Sequence, residues 1–113
     1  MLKEAKKALR VTVTNFDDEI MRLCEAGLMD LQIAGVVVSG TVAFTESTSG
    51  AVTDTSTLTD PLVQRAIITY AAMRFGNPPN YDRLLDAYET QKVQLMHADG
   101  YTDYGEDEED AEE

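Results

Sequence analysis

The chain has 113 residues, of which 43 % are hydrophobic, so it can bury one ordinary core as a single domain without disulfide or metal staples. Its net charge of −12 argues against gathering nucleic-acid phosphates by bulk electrostatics, and the lack of any run of eighteen apolar residues excludes a membrane span. A single cysteine, Cys24, and a single histidine, His97, exclude an internal disulfide and a zinc site of the usual spacing, and residues 1–10 lack the apolar segment of a signal peptide.

Residues 2–9 are predicted to form a short helix with two different faces. Leu2, Ala5 and Leu9 recur at steps of three and four residues and form one apolar stripe. The opposite face carries four of the nine basic residues of the chain, namely Lys3, Lys6, Lys7 and Arg10. This basic face is either simply solvated or a contact surface for acidic groups on a partner or a neighbouring copy.

A second helix is predicted to begin at a cap formed by Thr14 or Asn15 and to stop at Gly35. The acids Asp17-Asp18-Glu19 fall in its first turn, where they face the positive end of the helix dipole. Its apolar stripe continues for about five turns through Phe16, Ile20, Leu23, Cys24, Leu28 and Leu31. Gly27 lies on the same side and indicates close approach of another helix.

Residues 36–59 are predicted to form a protruding, partly β loop. Eleven of the twenty-one residues from 39 to 59 are Ser or Thr, so plain disorder is the competing interpretation. Either Ser39-Gly40 or the segment 47–50 can turn a hairpin. The loop carries more apolar residues than a free loop needs, among them Val37, Val42 and Phe44, which predicts contact with another subunit or a neck protein.

Two further helices follow the loop. Asp60 and Pro61 begin the first as cap and first helical residue, and residues 76–79 end it. Its buried stripe is predicted to be Leu62, Ala66, Ile67, Tyr70, Ala71 and Phe75. Asn80 is predicted to cap the last helix, whose apolar side holds Leu84, Tyr88 and Leu95, with the stem of Lys92 along its edge.

The fold class is therefore all-α, with one helical domain over residues 1–98 and a tail over 99–113. Three main helices form a small bundle, preceded by the short N-terminal helix. We predict that ten residues of the three main helices make the core, namely Ile20, Leu23, Leu28, Leu31, Ala66, Ile67, Tyr70, Phe75, Leu84 and Tyr88.

The tail holds nine acids and no base, whereas residues 1–98 carry twelve acids and nine bases, or −3. Because the acids repel one another and few apolar groups offset the ordering entropy, the tail is predicted to be flexible in the free protein. Tyr101 and Tyr104 can bury aromatic area once a partner supplies a groove. The alternative is a purely solubilising tail.

Catalytic chemistry is not indicated. The glycines form no phosphate-binding loop, and His97 at a helix end has no nucleophile or orienting acid that the sequence points to. Cys24 lies on an apolar stripe, and the acids at 17–19 lack the alternating spacing of a calcium loop. We therefore expect neither an enzyme nor a cofactor or metal site.

Two blocks of helical sequence carry a family resemblance. The first is Leu9-Arg10-Val11 with Asp17-Asp18-Glu19-Ile20 and then Leu23, Ala26, Asp30 and Leu31. The second is Asp60-Pro61-Leu62-Val63-Gln64-Arg65-Ala66-Ile67-Ile68-Thr69-Tyr70 with Phe75-Gly76. Together they resemble the head–tail connector proteins of long-tailed bacteriophages, also called head-completion or adaptor proteins, over residues 1–97 apart from the loop. The length and Ser/Thr content of the loop and the acidity of the tail depart from the family pattern.

The resemblance implies a small, all-helical, non-enzymatic virion protein at the neck, assembled in the host cytoplasm. Such proteins form a ring under the portal, and the ring has twelve-fold symmetry where it matches the portal. The ring extends the DNA channel without sequence-specific binding and supports the neck or tail-completion protein. An acidic wall would keep DNA from adhering to that channel.

Two other function classes compete with this interpretation. A DNA-mimic inhibitor would need acids spread over the folded surface at phosphate-like spacing, whereas here they concentrate in the tail. An acidic adaptor unrelated to phages would bind a basic protein through the tail. A connector should form rings or join them when mixed with portal, whereas a decoy should stay small.

Overall fold

The computed structural model of the chain describes residues 1–76 and 78–98. These residues form four helices and one antiparallel pair of strands. In chain order the elements are α1 (Leu2–Leu9), α2 (Asp17–Ile33), β1 (Phe44–Glu46), β2 (Val52–Asp54), α3 (Pro61–Arg74) and α4 (Tyr81–His97). The mostly helical fold with a partly β connection is as predicted from the sequence.

Of the predicted side-chain caps, only that of α3 forms. Asn80 occupies the cap position of α4, but the predicted cap is wrong in that its side chain makes no capping hydrogen bond. The Asp60 carboxylate accepts hydrogen bonds from the backbone N–H groups of Leu62 and Val63, as predicted for α3. Gly35, at φ 102°, ends α2 in a pair of backbone bonds typical of a Schellman motif. The predicted side-chain cap of α2 is wrong, because Phe16 occupies the cap position and makes no side-chain capping bond.

The loop folds into a hairpin that turns at residues 47–50, the second of the two predicted positions. β1 and β2 pair antiparallel with Thr45 opposite Thr53. Beyond the strands, hydroxyl groups continue the pairing: Thr57 Oγ1 accepts from the Thr41 N–H at 2.8 Å, and Ser56 Oγ accepts from the Ala43 N–H at 3.1 Å. The high Ser/Thr content therefore supplies cross-strand hydrogen bonds where the regular backbone ladder ends.

The core lies among α2, α3 and α4, with α1 packed across α2 and α3. Six of the ten predicted core residues are buried, and Leu23, Tyr70, Phe75 and Leu84 are half-buried against them. The structure adds core residues from outside the three main helices, namely Ala5, Val36, Val42 and Leu58.

Two residues assigned to buried stripes lie at the surface instead. Leu62 is 54 % exposed, because the first turn of α3 has an open groove on each side. Phe16 is 42 % exposed, because it caps α2 and stands edge-on against the Phe75 ring, with 5.5 Å between the ring centroids.

The helices are locked together around Gly27. A Cβ atom at Gly27 would lie 3.1 Å from the ring of Tyr70, so α2 and α3 approach as closely as the sequence indicates. The Tyr70 ring stands against the ring of Tyr88, at 5.3 Å between centroids. Tyr88 in turn donates its hydroxyl proton to Asp30, and the Lys92 ammonium lies 3.4 Å from the same carboxylate. This cluster joins α2, α3 and α4.

A second junction joins α1 to the hairpin through Asp54. One Asp54 oxygen lies 2.8 Å from both the Met1 amino group and the backbone N–H of Leu2, and the other accepts from the Ser56 N–H at 3.0 Å. Burial disfavours the charged form of both groups, but the hydrogen bonds that the charged groups make outweigh this effect. The pKa of the amino group is therefore raised, and the pKa of the Asp54 carboxyl is held well below its usual range.

The core assignment predicts the result of truncating Ile67. Ile67 is fully buried, so Ile67→Ala removes core contacts and should lower the free energy of unfolding by about 2–5 kcal/mol in urea titrations. The matched control is Ile33→Ala, since Ile33 is 80 % exposed and the change should stay within about 0.5 kcal/mol. Equal effects of the two substitutions would contradict this packing.

The Asp54 junction predicts a pH dependence of stability. The raised amino pKa contributes stability that is present below pH 8.0 and is lost as pH rises through the folded-state pKa above it. The depressed Asp54 pKa contributes stability that is present above pH 3.8 and is lost as pH falls through the lower folded-state pKa. Asp54→Asn should therefore reduce the loss of unfolding free energy at both high and low pH, as measured by urea titrations at a series of pH values.

The control for Asp54 is Glu46→Gln on the same hairpin. Glu46 pairs with Arg22 at 3.3 Å, but both side chains are substantially exposed, so its removal should leave the pH profile nearly unchanged. An Asp54→Asn chain that loses stability above pH 8.0 as steeply as the wild type would show that the amino group is not held by Asp54.

Candidate partner and subunit contact surfaces

The basic face of α1 presents three cations instead of the four that the sequence suggests. Lys3, Lys7 and Arg10 are exposed. The ammonium of Lys6 lies 2.8 Å from an oxygen of Asp17, and both side chains are largely buried. Lys6 therefore ties α1 to the start of α2 and is not displayed to a partner.

Arg10 holds its place on this face at a conformational cost. It adopts a left-handed backbone, with φ 61° and ψ 38°, at the end of α1. Its N–H and that of Val11 bond back to the carbonyls of Lys7 and Lys6, a turn in which glycine is the usual residue. A non-glycine residue there costs about 1–2 kcal/mol.

The three apolar loop residues assigned to contacts have different surroundings. Val37 is exposed. Val42 is only 7 % exposed and belongs to the core of its own chain, so it offers no contact surface in this conformation. Phe44 is half-buried, with the Arg22 guanidinium 5.4 Å from its ring centroid. The loop's apolar content is thus partly explained by burial within its own domain.

An apolar surface that the sequence analysis did not single out lies on α2. Met29 is 60 % exposed and Ile33 is 80 % exposed, and their spacing of four residues places them on one face of the helix. The signal was present in the sequence as two large apolar residues off the buried stripe. Isolated exposed apolar residues are common, but here two share one face.

Two grooves flank Leu62 at the start of α3. The first lies between α3 and the segment that follows α2, and Val37, Val38 and Pro61 line it. The second lies between α3 and the C-terminal part of α4, where Leu95 and Ala98 line it. The second groove is mainly apolar, whereas the first is about equally polar and apolar.

Reactive chemistry is not supported by the groups that the structure describes. Burial raises the pKa of the Cys24 thiol to about 12, so the nucleophilic thiolate is not populated near neutral pH. Across residues 1–76 and 78–98, no three side chains of His, Cys, Asp or Glu are placed to hold a metal ion. No helix within these ranges is long and apolar enough to cross a membrane. Tyr101 and Tyr104 lie outside the described residues.

The comparisons with known proteins bear on the resemblance drawn from residues 9–31 and 60–76. The family model described as phage connector protein matches residues 1–102. Neither a curated protein nor a solved structure matches the chain. The family match covers both helical blocks, the hairpin and α4, and it confirms the resemblance. The chain therefore belongs to the phage connector protein family, a family of structural virion proteins of the bacteriophage head–tail junction.

Proposed function

We propose that this chain assembles as a ring beneath the portal, extends the DNA channel, and carries the neck or tail-completion protein. The family match over residues 1–102 is the observation that carries this proposal. The ring would have twelve-fold symmetry where it matches the portal, and it would form in the host cytoplasm before joining the virion neck.

The exposed apolar residues of α2 support a contact between copies. A ring is closed by heterologous contacts, in which one surface of each copy meets a different surface of the next. Met29 and Ile33 offer one such surface, and burying two large side chains supplies favourable apolar area. The groove that holds Val37 and Leu62 lies near the same end of the domain and extends the candidate contact area.

The charge distribution supports a channel role without tight DNA binding. The folded domain carries only −3, and the excess acid follows it in residues 99–113. An acidic channel surface repels the DNA backbone and a nearly neutral one does not attract it, so DNA can slide past instead of adhering. We propose that the tail docks on a basic or mixed surface of the portal, where its acids mainly steer association.

We expect Ile33→Asp to prevent ring formation without unfolding the domain. A carboxylate on the α2 face would have to be desolvated in the contact, so assembly with portal should fall at least about tenfold. Light scattering after size-exclusion chromatography measures the assembled share, and thermal unfolding followed by circular dichroism checks the fold.

Val93→Asp is the matched control for this test. Val93 is 47 % exposed on α4, so the substitution adds the same charge to an exposed apolar position of another helix. If Ile33→Asp chains join portal as completely as Val93→Asp chains, the α2 face is not a subunit contact. A chain that stays small and binds a basic protein instead of portal would favour the acidic-adaptor alternative.

The basic face yields a separate expectation. If Lys3 and Lys7 meet acidic groups of a neighbour or partner, Lys3→Gln and Lys7→Gln should each weaken assembly, and the loss should be greatest at low salt. Titrations of ring formation against salt concentration measure this. Arg83→Gln removes an exposed cation from α4 and should leave the salt slope unchanged. If the basic face is only solvated, ring formation should depend on salt concentration in all three variants as it does in the wild type.

A further inference from the structure

Three acidic side chains form a row along the exposed side of α4. Asp82, Asp86 and Glu89 follow one another at steps of four and three residues, so they share one face of the helix and span about 10 Å. All three are exposed, whereas the buried residues of α4, Tyr88 and Leu95, lie on a different face. We call this row the acidic stripe of α4.

The basic face of α1 repeats this spacing with the opposite charge. Lys3, Lys7 and Arg10 also follow one another at steps of four and three residues, and all three are exposed. Among the described residues, none of these three cations takes part in an ion pair. Their charges are therefore available to a partner, in contrast to that of Lys6, which Asp17 engages.

The acidic stripe is also largely free of internal pairing. Asp82 and Asp86 form no ion pair within the part of the chain that the structure describes, and Glu89 has only a long one, with the Lys92 ammonium at 3.7 Å. α1 packs against α2 and α3, whereas α4 packs on α3, so the two rows belong to separate surfaces of one domain. Two different, complementary surfaces on each copy are what a heterologous contact requires.

We propose that the basic face of α1 in one copy docks on the acidic stripe of α4 in the next copy. This inference rests on the proposed ring and names the surfaces that meet in it. Lys7 and Asp86 are the middle residues of their rows, so they face each other whether the two helices run parallel or antiparallel. A second copy is the partner because one chain carries both rows, matched in spacing and number and opposite in charge.

The two rows mainly set the orientation of neighbouring copies. Exposed ion pairs each contribute little to affinity and are weakened by salt. Complementary charges across a contact instead speed association, fix its register and exclude arrangements that bring like charges together. Reversing a charge is therefore a sharper test than neutralising it, because reversal adds repulsion where attraction is lost.

Charge reversal tests the central pair. Lys7→Glu and Asp86→Lys each bring like charges together, and each should lower ring formation with portal at least about fivefold at low salt. The chain with both substitutions restores an opposite pair between neighbours and should recover at least about half of the wild-type assembly. The matched control combines Asp86→Lys with Arg65→Glu, at an exposed position of α3. It has the same net charge as the swap and should assemble as poorly as Asp86→Lys alone.

Cross-linking between copies tests the contact without charge reversal. Chains with Lys7→Cys are mixed with chains with Asp86→Cys, together with portal and a short bismaleimide, and the native Cys24 is buried and does not compete. We expect a cross-linked dimer from the mixture and none from either chain alone. Arg65→Cys in place of Asp86→Cys is the control and should give none. A dimer from Lys7→Cys chains alone would show a two-fold contact, which overturns the proposal.

The outcomes separate this contact from the proposed function. If wild-type chains form rings but the charge swap assembles no better than its control, or the mixed cysteine chains give no dimer, the contact is wrong and the ring stands. If wild-type chains form no ring with portal, the proposed function fails and the contact fails with it. Circular dichroism shows whether a charge-reversed chain is folded, and where one is not, the cross-linking result decides.

Discussion

The packing of this domain depends on the absence of a side chain at Gly27. A helix interior with glycine gives up about 1 kcal/mol relative to alanine, yet a Cβ here would come within 3.1 Å of the Tyr70 ring. The missing atom lets Tyr70 pack closely against α2 while its ring makes an edge-type contact with the ring of Tyr88 on α4. The hydroxyl of Tyr88 then reaches Asp30 on α2, so one small residue sets the relative positions of three helices.

Helical periodicity predicts the helices and most of the central core because steps of three and four residues report directly which face is buried. Ile67 and Leu31, both fully buried, are examples. Periodicity predicts burial less well at the ends of helices, because there a side chain is buried only if another element packs against it. Leu62 continues the stripe of α3 in sequence, but α3 begins there between two grooves, so its side chain stays exposed.

The loop and the contact surfaces were less predictable because tertiary contacts decide them. The alternating positions of Val42 and Phe44 predict that both side chains are buried, but not whether their own chain or a partner buries them. The structure places Val42 in the core of its own chain. The charge pattern of α1 predicted its basic face but not that Lys6 turns toward Asp17, which is eleven residues distant and on another helix. Met29 and Ile33 lie off the predicted buried stripe of α2, but the sequence alone does not tell whether such residues are shared surface or are covered by another element of the chain.

Several charges of the folded domain are engaged within it, and this bears on how identical acidic chains can stand side by side. Lys6 pairs with Asp17, Arg22 with Glu46, Lys92 with Asp30, and the Met1 amino group with Asp54. The domain carries −3 of the total −12, so the remaining −9 lies in residues 99–113. At physiological salt, exposed charges are screened beyond about 8 Å. Neighbouring domains would therefore meet across nearly neutral surfaces, provided that the acidic residues are kept away from that contact. In the proposed ring, a sequence that separates its charge in this way would let identical domains pack closely with little mutual repulsion.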